Sequence, residues 1–162
     1  MAMATGGAAT EESRAFLQSR LALFGQWIFL VSGAFLVVFG TIRLLFFPFT
    51  PALLFHALAT LLAGLLWAAG TRLRLTVAAM QTLDGAATVL ICASFGLMTL
   101  AYARQMTVSG FDPTPIIYVE LLTTSYVLMA RAVAVPATAA RTMWLGLAVV
   151  VLLEAIDAVI LV

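Results

Sequence analysis

Residues Leu21–Ile42 read LALFGQWIFLVSGAFLVVFGTI, a run of 22 residues without a charge. At about 1.5 Å of rise per residue, a helix of this length crosses the roughly 30 Å hydrocarbon core of a bilayer with some tilt. The apolar stretch of a secretory signal peptide is shorter, about 7–15 residues, and ends at a small-residue cleavage site. No A-x-A site follows this run. It therefore reads as an uncleaved first spanning helix.

Four further runs have the same character. The second span is 51–70, PALLFHALATLLAGLLWAAG, with Pro51 suited to a first helical turn and Gly70 to a C-cap. The third is 83–103, with Asp84 near its start, and the helix is expected to begin at the interface over 75–81. The fourth is 116–135, interrupted only by Glu120 and Arg131, and the fifth is 143–162. Residues 105–115, QMTVSGFDPTP, carry glycine and two prolines and read as the longest loop. Residues 1–10 read as a disordered tail, with Thr10 as an N-cap ahead of Glu11 and Glu12. Barrel strands would alternate in hydropathy over about 9–11 residues, whereas these runs are continuous. The expected fold is all-α: a polytopic transmembrane bundle of five spanning helices over residues 11–162. The fifth run is apolar to Val162. That points to a longer protein, and to a truncated six-helix unit.

Composition agrees with the spans and excludes much chemistry. The chain of 162 residues is 64% hydrophobic and 9% charged. Soluble domains average about 45–50% apolar and about 25% charged. All eight basic residues are arginine. Without lysine there is no P-loop, no kinase strand lysine and no Schiff base. One histidine and one cysteine cannot close a zinc site without carboxylates. A net charge of +1 argues against nucleic acid as a partner. No catalytic, cofactor-binding or metal-binding residue is expected in this chain.

The arginines predict the topology. Arg14, Arg20, Arg72, Arg74, Arg131 and Arg141 fall on one side of the spans, and Arg43 and Arg104 on the other. Positive residues favour the cytoplasmic side. The expected placement is the cell's inner (plasma) membrane, multi-pass, with the N-terminus in the cytoplasm. Trp67 and Trp144 suit an inner aromatic belt.

Polar residues within spans are costly, at about 2.5–3.5 kcal/mol for a charge at the membrane centre, and so usually face a bundle interior or a wet cavity. Glu120, Glu154 and Asp157 are the intramembrane acids, the last two sharing a face of one helix. Arg43, Arg104 and His56 are their candidate partners on the outer half. The roles open to them are a structural ion-pair or hydrogen-bond network, a signal-sensing or proton-responsive cluster, and a transport pathway. Asp84 reads as a helix N-terminal charge with an arginine partner. Thr60, Gly64 and Ala68 recur every four residues, a spacing that lets another helix approach closely, from the same chain or from a second copy.

Three segments carry a resemblance: Phe16–Gly25 (FLQSRLALFG) opening the first span, Leu83-Asp84-Gly85 entering the third, and Arg131–Pro136 (RAVAVP) followed by Ala140-Arg141-Thr142 before the fifth. This order resembles the multi-helix membrane region that precedes the catalytic domain of some bacterial eukaryotic-like serine/threonine protein kinases. Similar regions precede some adenylate cyclases. The resemblance implies a membrane anchor and sensory or dimerising region, with the bilayer, a second copy and a downstream cytoplasmic kinase domain as partners. It carries over no kinase catalytic residue. The alternative from the residues alone is a small multi-pass transporter or channel subunit that uses the intramembrane carboxylates.

Overall fold

The computed structural model describes the backbone of residues 4–46 and 49–160, and the side chains of 11–46 and 49–159. Five α-helices account for the architecture: α1 (Ala4–Phe46), α2 (Pro51–Arg72), α3 (Val77–Val108), α4 (Thr114–Ala134) and α5 (Ala139–Ile160). There is no strand among the described residues. All five are long and apolar enough to cross a membrane. The expected spans fall within these helices, except that residues 161–162 of the fifth lie outside the described residues and residue 135 of the fourth is the C-cap of α4.

α1 and α3 overrun their spans at both ends. α1 starts at Ala4, so Thr10 lies inside it rather than capping it, and residues 4–10 extend the helix instead of forming a tail. Alanines at positions 4, 8 and 9 favour that extension. Residues 1–3 lie outside the described residues. α3 has 32 residues, about 48 Å of helix, so it projects past a bilayer core. Its N-cap is Thr76, whose side chain accepts from the Ala79 amide at 3.2 Å. Asp84 is therefore two turns inside α3 and not in its first turn. At the other end α3 continues to Val108, so the connection expected over 105–115 shrinks to 109–113. Gly110 supplies the turn with φ +77°, a left-handed conformation that glycine adopts without penalty. Asp112 Oδ1 accepts from the Thr114 amide at 2.9 Å as α4 starts. That bond holds the exposed Asp112 carboxyl below its ordinary range.

α3 is the axis of the bundle and touches all four other helices, whereas α5 touches only α3 and α4. Half of the apolar window of α3 is buried, against 11% for α5. This explains why α3 tolerates so many polar and small residues. Asp84, Thr88, Cys92, Ser94, Gly96 and Thr99 are buried within it, and they face protein instead of lipid. Much of the outer surface is apolar, including Phe35, Val37, Leu122 and Val133, as a lipid-facing surface requires.

α1 and α2 cross closely on glycine. A methyl group at Gly25 would sit 2.6 Å from the Trp67 amide nitrogen, and one at Gly64 would sit 2.9 Å from Phe29 Cδ2. Gly70 is not the cap of α2, which ends at Arg72 with Leu73 as C-cap. Gly70 instead meets Ala22, whose Cβ would be 2.8 Å from an added methyl. Thr60 is buried and shares a 2.6 Å hydrogen bond with Ser32 of α1. Thr60 and Gly64 of the small-residue stripe thus serve packing within the chain, and Ala68 is half-buried one turn further along.

Candidate functional site

The deepest charged group lies where α3, α4 and α5 meet. Arg131 and Asp84 are each only 1% exposed. Arg131 Nε donates to Asp84 Oδ1 at 3.0 Å and Nη2 donates to Oδ2 at 2.6 Å. This two-point geometry matches a guanidinium to a carboxylate. Arg141, at the start of α5, donates from Nη2 to the same Oδ2 at 3.0 Å and also to the Gln81 carbonyl. Arg131 Nη1 reaches Thr142 Oγ1 at 3.4 Å. One carboxylate therefore ties together three helices from positions up to 57 residues apart. A cleft of about 530 Å³ opens beside it, lined by Leu17, Val77, Gln81, Pro136, Thr138 and Arg141.

Helical spacing accounts for this cluster. Glu120, Thr124, Val127, Arg131 and Ala134 are the buried residues of α4, and their separations of three and four place them on one face. On α3 the facing stripe is Asp84, Thr88, Cys92, Gly96 and Thr99. Arg131 meets Asp84 at one end of this antiparallel seam. Eleven residues back along α4, Glu120 Oε1 lies against Gly96, 2.9 Å from where a methyl group would stand. Thr99 adjoins the Glu120 carboxyl, and Asp157 of α5 lies within electrostatic reach of it.

The sequence-derived residues thus separate into different settings. Glu120 and Asp157 come together, and Glu120 is 1% exposed. Glu154, expected to share their interior face, is exposed on α5, because α5 has only α3 and α4 to pack against. His56 is not brought to the acids. Its Nε2 lies 3.1 Å from Ser32 Oγ and 3.2 Å from the Ser32 carbonyl, and its ring meets Phe95 edge-on at 5.8 Å. It cross-links α1 and α2. Arg43 donates to Gln105 and stands 5.3 Å over the Tyr102 ring, so it joins α1 to α3. Arg104 is exposed. Among the described residues, no salt bridge links Glu120, Glu154 or Asp157 to any of these three bases.

Arg131 and Arg141 supply the arginine partner expected for Asp84. Their convergence on one buried centre is not among the expectations from sequence. The available signal was the eleven-residue separation of Glu120 and Arg131, close to three full turns, which puts both on one side of α4. Among the described residues, no group of three or more His, Cys, Asp or Glu side chains could hold a metal ion. Cys92 is buried and free. No protein-family model, curated protein or solved structure matches the chain. The fold and the two polar centres define a polytopic α-helical membrane protein.

Proposed function

We propose that this chain is the membrane anchor and sensory or dimerising input region of a bacterial serine/threonine kinase, with the catalytic domain on a longer form of the protein. In this reading it sits in the inner membrane with its N-terminus in the cytoplasm. The observation that carries the proposal is where the resembling segments meet. Asp84, Arg131, Arg141 and Thr142, drawn from two of them, form one hydrogen-bonded cluster. The remaining segment, Phe16–Gly25, packs at the same end, where Gln18 donates to the carbonyls of Gly70 and Leu73. The polar anchors of the resemblance therefore belong to one structural unit, at the end that carries six of the eight arginines. Positive residues at one end favour its placement on the cytoplasmic side.

Mechanistically, a change in the packing of α3, α4 and α5 would reach an attached cytoplasmic domain through the ion cluster at that end. Two measurements test this. Reading the open reading frame past Val162 should reveal another span followed by a kinase catalytic domain; a stop codon or an unrelated domain refutes the proposal. Exchanging these helices for an unrelated membrane anchor should change the phosphorylation output of the full-length protein. Unchanged output refutes the sensory role and leaves a passive anchor.

A further inference from the structure

The second polar centre, toward the end of the bundle opposite Asp84, has an unusual feature. Threonine and serine inside a helix ordinarily return their hydroxyl to the carbonyl four residues back. On α3, Thr88, Ser94 and Thr107 do so, at 2.7, 2.8 and 3.0 Å. On α4, Thr123 does so at 2.8 Å. Thr99 and Thr124 do not, although they are 0% and 5% exposed. Among the described residues no hydrogen bond of ordinary length reaches their hydroxyl oxygens, either carboxylate oxygen of Glu120 or Oδ1 of Asp157, although the Thr99 hydroxyl faces the Glu120 carboxyl. Buried polar atoms without partners are rare in folded proteins. Here five oxygens on three helices are left so, two of them the Glu120 carboxyl itself.

We infer that Thr99, Glu120, Thr124 and Asp157 form an intramembrane binding site for one small, hard, monovalent cation of the sodium class. Every unpartnered atom is an oxygen, which suits a hard cation and not a thiolate- or imidazole-seeking metal. A divalent ion beside one ionised carboxylate would leave a buried positive charge uncompensated. Charge points the same way. Arg131 and Arg141 are committed to Asp84 at the far end of the seam. With Asp157 protonated in the bound state, a single positive charge neutralises Glu120. Thr124 lies one turn from Glu120 on the same face of α4, so its hydroxyl shares the carboxyl's surroundings. Gly96 leaves the space that the Glu120 carboxyl fills. Binding exchanges one proton of Glu120 for one cation, so the buried charge is unchanged. The titratable groups facing this exchange are Glu120 on α4, Asp157 on α5 and Cys92 on α3, with Glu154 acting on Asp157 along α5. The site stands on this geometry alone and does not depend on the kinase reading.

The test uses the purified chain in lipid nanodiscs, titrated with sodium chloride against choline chloride at constant pH and ionic strength. Sodium should raise the melting temperature saturably, as a ligand of the folded state must, and choline should not. Infrared difference spectra of the wild type should show a protonated carboxyl converting to carboxylate as sodium binds, a readout that needs no variant. Glu120→Gln should abolish both signals. Thr124→Val should weaken the apparent sodium affinity by roughly tenfold or more. Thr123→Val, next in sequence but only half-buried and bonded to the Val119 carbonyl, should leave it unchanged. Equal effects of sodium and choline, a sodium shift that survives Glu120→Gln, or a carboxyl signal that follows pH with no ion preference would each overturn the inference.

Discussion

Replacing Asp84 by asparagine removes one negative charge with almost no change in side-chain size. The carboxylate accepts three hydrogen bonds from two guanidinium groups, at 2.6, 3.0 and 3.0 Å. Asparagine offers one acceptor oxygen and turns an amide donor toward a donor. Arg131, 1% exposed, is then a buried cation with no counter-charge from this position. Removing one partner of a buried pair typically costs about 3–5 kcal/mol, because the remaining charge stays desolvated. At about 1.4 kcal/mol per factor of ten, that lowers the folding equilibrium constant more than roughly a hundredfold. Reversible unfolding in mixed micelles of mild detergent and dodecyl sulfate, followed by circular dichroism, measures the change. The double variant Asp84→Asn with Arg131→Gln removes both charges of the closest pair and should be distinctly less destabilised than the sum of the single variants, because neither charge is left uncompensated. A cost below about 1 kcal/mol for Asp84→Asn, or single-variant costs that add within about 0.5 kcal/mol, would refute the buried-pair argument.

Gly25→Ala should destabilise the protein by about 1–3 kcal/mol, because the methyl group meets the backbone of α2 at 2.6 Å; Gly33→Ala, whose nearest atom is 3.7 Å away, should be neutral or slightly stabilising in the same unfolding assay. The Asp112 carboxyl is held below its ordinary range by the Thr114 amide. Its support for the start of α4 should be complete above the unfolded aspartate value, about 3.9, and lost as pH falls through the lower folded value. The Thr114 amide resonance should report that lower midpoint, and Asp112→Asn should remove the titration. With Cys92 changed to alanine and single cysteines placed at Leu73 or Ser109, an impermeant thiol reagent on intact cells should label position 109 and spare 73. Labelling of 73 alone would reverse the proposed orientation.

How much of this was legible in the chain differs from feature to feature. Leu21–Ile42 could be recognised alone, because bilayer thickness fixes the length of a spanning helix and every backbone group must be bonded within it. Pro51 likewise marked the first turn of α2, as proline lacks the amide a first turn does not use. Gly70 shows the limit. Glycine suits a cap and a tight helix crossing equally well, and contact with Ala22, 48 residues away, makes it a crossing. The loop over 105–115 is shorter than its composition suggests because Gln105–Val108 continue α3 and Thr114–Pro115 open α4, lengths past the bilayer that no hydropathy pattern reports.

Local chemistry therefore settles the number, order and approximate limits of the spans, since each is a property of consecutive residues in a slab of known thickness. Which polar residues meet depends on how the helices are arranged around α3. Periodicity assigns Asp84, Glu120 and Arg131 to faces of their own helices, but it does not say which neighbour each face meets. The packing joins Asp84 to Arg131 and Arg141, engages His56 with Ser32, turns Glu154 outward, and brings Thr99 and Asp157 to Glu120. The physical reason is that spanning a bilayer is a local requirement on each helix, while burying a charge is a joint requirement on all the helices around it.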